Sequence, residues 1–253
     1  MTDYTIANEF TLPSLGKVYK REINPHVKLR SMTTAEEMKR LNHSDKAYKQ
    51  LAEIIDDCTL NDIGISSYDM CVADYQFLMH RLRLVTYGPE YRMVAKCPFC
   101  YMENEYVIDL ENDLNLKEFD QEIFDSCSEF ILPASKHKIK LHMQSPRDID
   151  DVAAMAKDRK KKAAKNSGDP AFLLTLSNLI EKIDDKNYEE FEKEPFLQKL
   201  PMRDTNYILK AAQKLNSAFG LESDVTHTCT LCNSDYISTF RITSEFFGPS
   251  IDF

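Results

Sequence analysis

Apolar residues recur along this chain at two spacings, and the alternation between them predicts its elements. Tyr75, Leu78, Met79, Leu82 and Val85 follow the 3.6-residue period of a helix over 69–86, which Gly88 would close in the left-handed region. The same periodicity predicts helices over 34–42, 44–57, 147–164, 170–185 and 203–219. Thr33 or Thr34 reads as the cap of the first, with Glu36 and Glu37 in its opening turn. Period-two alternation marks strands at Val27–Arg30, 91–96, 104–109, 139–142 and 236–241, after an extended opening over 9–19. The pattern predicts an α+β protein, mostly helical with short β-hairpins.

The order of elements runs twice. Glu129-Phe130-Ile131-Leu132-Pro133 echoes Glu9-Phe10-Thr11-Leu12-Pro13, and Ile139-Lys140-Leu141-His142 echoes Val27-Lys28-Leu29-Arg30. Ser145-Pro146-Arg147-Asp148 opens a helix where Thr33-Thr34-Ala35-Glu36 did. Tyr207 through Gly220 matches Tyr75 through Gly88, so Gly220 is expected to cap a helix as Gly88 does. Two diverged repeats are therefore expected: an N-terminal one over 1–112, a connector over 113–128, and a C-terminal one over 129–253. Residues 161–169 read as the mobile loop and 184–190 as a polar connection between helices. The apolar end, Phe246 to Phe253, is expected either to pack on the body or to dock a partner.

Cysteine placement sharpens this picture. Cys97-Pro98-Phe99-Cys100 and Cys229-Thr230-Leu231-Cys232 are two Cys-x-x-Cys pairs, where chance would give about 0.2. Each lies beside strand-like residues, as in a zinc knuckle, a tight turn that presents two thiolates to one ion. Two knuckles make one zinc-ribbon-like tetrahedron, so Cys97, Cys100, Cys229 and Cys232 are the candidate metal ligands and a structural Zn²⁺ the candidate cofactor. Four thiolates leave no coordination position for water, so such a site holds structure. If each repeat supplies one knuckle, the long gap between the pairs is explained. Two other readings stay open. Cys97/Cys100 looks like the tetrapeptide of a thiol-disulfide oxidoreductase, but no helix follows to lower the thiol pKa and no βαβ pattern surrounds it. Thiols buried as small hydrophobes suit Cys58, Cys71 and Cys127.

Composition narrows the classes further. A formal charge of −9 with six glycines and no tryptophan argues against broad nucleic-acid binding and a glycine-rich nucleotide loop. The basic run at 157–165 reads as a solvated helix end or as a local anionic contact. No stretch of about 18 apolar residues offers a membrane span. The first residues lack a secretory pattern, and the cysteine usage suits a reducing cytoplasm. Histidines are scattered; His227, two residues from Cys229, is a further possible ligand, and His80 reads as a core residue. No nucleophile–base, His-Glu-x-x-His or phosphate-loop pattern occurs, so a non-enzymatic protein is expected.

Leu12-Pro13-Ser14-Leu15-Gly16-Lys17-Val18-Tyr19, Met32-Thr33-Thr34-Ala35-Glu36-Glu37 and Tyr87-Gly88 before Cys97-Pro98-Phe99-Cys100 together resemble the baseplate hub assembly proteins of T4-like contractile-tailed bacteriophages. The likeness is specific over about 9–110 and loose beyond. It implies a late protein acting in viral tail assembly in the host cytoplasm, or placed in the virion baseplate. Its partners would be other tail or baseplate hub proteins. A chaperone of the tape-measure protein is the alternative within binding functions. The cysteines alone transfer from the family, as metal ligands; no catalytic residue does.

Overall fold

The computed structural model describes residues 6–247 apart from 43, 163–167, 223 and 240–243. Strands β1 (Ala7–Thr11) and β2 (His26–Arg30) pair antiparallel with Phe10 opposite Val27. Thr33 then caps α1 (Thr34–Leu41): its hydroxyl accepts from the Ala35 N–H, and Glu36 accepts from the Thr33 N–H at 2.7 Å. Next come α2 (Ala47–Cys58), a one-turn 3-10 helix at Ser67–Asp69, and α3 (Val72–Tyr87). Gly88 closes α3 at φ +84°, a conformation that disfavours any side chain. The first cysteine hairpin follows as β3 (Glu90–Lys96) and β4 (Glu103–Asp109), then β5 (Leu116–Lys117).

The second half begins with α4 (Gln121–Ser128), β6 (Glu129–Ile131), β7 (Lys138–Leu141) and α5 (Pro146–Lys162). Ser145 and Asp148 bond reciprocally at the start of α5, as Thr33 and Glu36 do at α1. Then come α6 (Pro170–Leu179), β8 (Ile180–Ile183), β9 (Lys186–Asn187), α7 (Glu190–Leu197) and α8 (Met202–Asn216). The chain finishes with β10 (Gly220–Leu221) on β5, and the second cysteine hairpin, β11 (Asp224–Thr228) and β12 (Asp235–Thr239). The expected α+β class is what the chain adopts: helices joined by short antiparallel sheets.

Two large apolar cores and two small ones, at Cys71, Ala73, Ala218 and Phe219 and at Ala95, Cys97, Cys229 and Tyr236, lie among the described residues. Val27, Leu29, Ile54, Ile55, Leu78 and Leu82 build the first, and Phe246 and Phe247 pack into it at 0% and 1% exposure. Ile139, Leu141, Leu176, Ile180, Ile208 and Leu215 build the second. A buried aspartate pins the turn after the first strand of each half. Asp74, in the first turn of α3, accepts from the Ser14 N–H (3.0 Å) and from the Ser14 and Tyr19 hydroxyls (2.5 and 2.6 Å). Asp204, in the first turn of α8, accepts from the Ala134 and Ser135 N–H groups at 2.8 Å each. Polar contacts join the halves: Tyr68 donates to Asp150 at 3.1 Å, and Lys46 pairs with Asp151 at 2.9 Å.

Several sequence expectations are corrected. The helix over 170–185 stops at Leu179, because Ile180–Ile183 adds to β7 and Asp184 and Asp185, at φ +50° and +62°, turn the chain tightly into β9. The polar connection at 184–190 is therefore mostly a hairpin. Gly220 does not cap a helix; α8 ends at Asn216, and Gly220 (φ +104°) lies where a Cβ would sit 3.1 Å from the Ala73 side chain. The extended opening ends at Thr11, and Leu15 and Gly16 then turn through the left-handed region. The loop at 161–169 and the tail beyond Phe247 fall mainly outside the described residues. The basic run forms the end of α5, with Arg159 paired to Glu190 and Glu194 of α7 and Lys160–Lys162 exposed.

Candidate metal centre

Each cysteine pair occupies the turn of a β-hairpin, and the two turns are built alike. In the first, Cys97 N–H donates to the Met102 carbonyl (2.9 Å), and Tyr101 N–H to the Cys97 carbonyl (3.0 Å). In the second, Cys229 N–H donates to the Ser234 carbonyl and Asn233 N–H to the Cys229 carbonyl, both at 3.0 Å. The residue after the second cysteine is left-handed in both: Tyr101 at φ +63° and Asn233 at φ +54°. This shape turns both sulfurs of a pair to one side.

The four sulfurs meet within 4.8 Å of one another, and no other His, Cys, Asp or Glu joins them among the described residues. Cys97 Sγ lies 3.7 Å from Cys232 Sγ, and Cys100 Sγ 3.5 Å from Cys229 Sγ. A disulfide needs about 2.05 Å, so these are thiols. A tetrahedral ion bound at about 2.3 Å would hold its sulfurs about 3.8 Å apart, close to the observed spacings. The donor set therefore fits a closed four-thiolate zinc site.

Backbone N–H groups aim at the sulfurs. The Cys232 N–H, then that of Leu231, pull the Cys229 thiol down to about 6. Ser234, through its hydroxyl and its N–H, lowers Cys232. The Met102 N–H pulls the same way on Cys100, yet desolvation, followed by bonding to the other three thiols, pushes Cys100 up to about 12. Four sulfurs this close cannot all ionise without a cation, and the N–H groups already favour thiolates on the second knuckle.

Side chains the sequence reading did not single out clamp the hairpins together. Asn104, 3% exposed, accepts from the Thr230 N–H (3.1 Å) and the Thr230 hydroxyl (2.6 Å). Its amide donates to the Met102 carbonyl at 3.1 Å and approaches Cys229 Sγ at 3.6 Å. Tyr106 donates to the Thr228 carbonyl and Tyr236 to the Ala95 carbonyl. Alternation along 104–109 places Asn104 and Tyr106 on one face with buried Ile108, which was the available signal.

His227 does not join the four-cysteine cluster. Its ring stacks on Tyr106 at 4.2 Å, and its Nε2 lies 2.7 Å from Ser238 Oγ. His80 is 1% exposed, and burial pushes its pKa down to about 4. Cys58 and Cys71 are buried small side chains whose thiols burial pushes up, Cys58 to about 12. Cys127 is half-buried and lies outside the cluster. Cys97 lies in a turn between strands and heads no helix. No described helix is long and apolar enough to cross a membrane.

No curated protein and no solved structure matches the chain. A family model described as T4 bacteriophage base plate protein matches residues 4–248, nearly the whole length, and the chain belongs to that family.

Proposed function

We propose that this protein is a non-enzymatic assembly factor of the baseplate hub. It acts by binding other tail proteins in the host cytoplasm, and one Zn²⁺ at Cys97, Cys100, Cys229 and Cys232 fixes its shape. The observation that carries the reading is the meeting of sulfurs from positions 129 residues apart, Cys100 and Cys229, within a family of baseplate proteins. A closed thiolate site supplies folding free energy and leaves no position for substrate. The two knuckles would belong to two diverged repeats, 1–112 and 129–253. The paired aspartate clamps, Asp74 and Asp204, and the paired helix openings, Thr33/Glu36 and Ser145/Asp148, support that origin.

The test is assembly in infected cells supplied with variant protein. Cys100→Ser should lose zinc and hub formation together, whereas Cys58→Ser, outside the site, should keep both. Normal hubs from Cys100→Ser, or turnover of a dithiol substrate that depends on Cys97, would overturn the reading. Recovery of the tape-measure protein as the sole partner would replace hub assembly by the chaperone role.

A further inference from the structure

A turn that only presents two thiolates is satisfied by small or polar residues at its exposed positions. Both knuckles instead carry an apolar side chain at the third place of Cys-x-x-Cys: Phe99 is 64% exposed and Leu231 65%. Tyr101 and Met102, beside Cys100, are 71% and 45% exposed. Cys232 remains exposed beside them, and most of each of these side chains faces water. The sulfurs of the two turns converge, so the turns that carry these residues meet at one end of the cysteine unit. Together the four residues leave about 450 Å² of side chain in water, and apolar surface gathered on that scale is often functional.

The charges around this end say what would cover it. Glu103, Glu105 and Asp235 are exposed on the flanking strands, against Lys96, whose ammonium lies 5.7 Å over the Tyr101 ring. A second copy would bring like carboxylates together, which opposes self-association through this end. We propose that the knuckle end docks a segment of another tail protein with apolar side chains flanked by lysine or arginine. This rests on the protein-binding reading above and assigns it a surface. The apolar side chains would seat beside Phe99 and Leu231, and the flanking cations would face the acidic strands.

The experiment places the photoreactive residue p-benzoylphenylalanine at position 231 of the full chain during infection, with position 38, on exposed α1, as a second probe. Adducts are mapped to the peptide captured. The expected adduct at 231 is an apolar tail-protein segment with lysine or arginine on its flanks. That segment, as a synthetic peptide, should bind Phe99→Ser/Leu231→Ser at least about tenfold more weakly than the unaltered chain, with zinc content and circular dichroism unchanged. Added salt should weaken binding to the unaltered chain. Capture of a second copy, or of an acidic segment, overturns the proposal. Capture of tail proteins at position 38 alone overturns the surface and leaves the binding function standing. No capture at either position, with normal hubs from the double variant, overturns both.

Discussion

Replacing Asn104 by alanine should loosen the metal while leaving both large apolar cores intact. Asn104 holds Thr230 on the opposite knuckle through two hydrogen bonds, at 3.1 and 2.6 Å, and its amide reaches toward Cys229 Sγ. A net hydrogen bond contributes about 0.5–1.5 kcal/mol, so the two cross-hairpin bonds together supply about 2 kcal/mol. Groups that orient metal ligands in this way change metal affinity by about 10- to 100-fold when removed. That range corresponds to about 1.4–2.7 kcal/mol, which agrees with the hydrogen-bond figure. The assay is competition for zinc against a chromophoric chelator, using the purified full chain and an Asn8→Ala control at an exposed strand position. The expected result is a zinc affinity about 10- to 100-fold weaker for Asn104→Ala and unchanged for the control. An affinity within about twofold of the unaltered chain would refute the reasoning that Asn104 couples the knuckles.

Glu36 gives a pH-dependent test: its bond to Arg30, followed by the Thr33 donors, pulls its pKa from 4.5 down to about 2. A lowered carboxyl pKa stabilises the fold above the unfolded value and loses that contribution as pH falls toward 2. Glu36→Gln should therefore cost about 2–3 kcal/mol at pH 7 and almost nothing near pH 2, and a gap of constant size in denaturant unfolding would contradict this. Asp204→Ala strands the Ala134 and Ser135 N–H groups, so urea unfolding should find about 3 kcal/mol less stability. A loss under about 1 kcal/mol would show that the clamp is dispensable.

The four-cysteine cluster was legible in the sequence because its pattern is local: each Cys-x-x-Cys turn declares itself within four residues, and only the meeting of the two had to be inferred. Helix α3 was legible for the same reason, its apolar residues repeating over sixteen positions. What escaped depends on distant partners. Ile180–Ile183 is a short apolar run that periodicity cannot divide between helix and strand, and its pairing strand β7 lies some forty residues upstream. Gly220 follows a helix as a cap would, but close approach to Ala73, far back in the chain, is what demands a glycine there. Asn104 reads as an ordinary strand residue until Thr230, 126 positions on, is placed against it. The helices α4 and α7 carried their signals, the Asp120 cap and the Glu189/Glu192 capping box, but each is only eight residues long and too short for strong periodicity.

Zinc-edge X-ray absorption on the full chain, purified under reducing conditions, tests most directly the claim that one ion ties the two knuckles together. One zinc per chain with four sulfur neighbours at about 2.3 Å is the predicted result. A shell containing nitrogen or oxygen ligands, or a folded chain that carries no zinc, would contradict it.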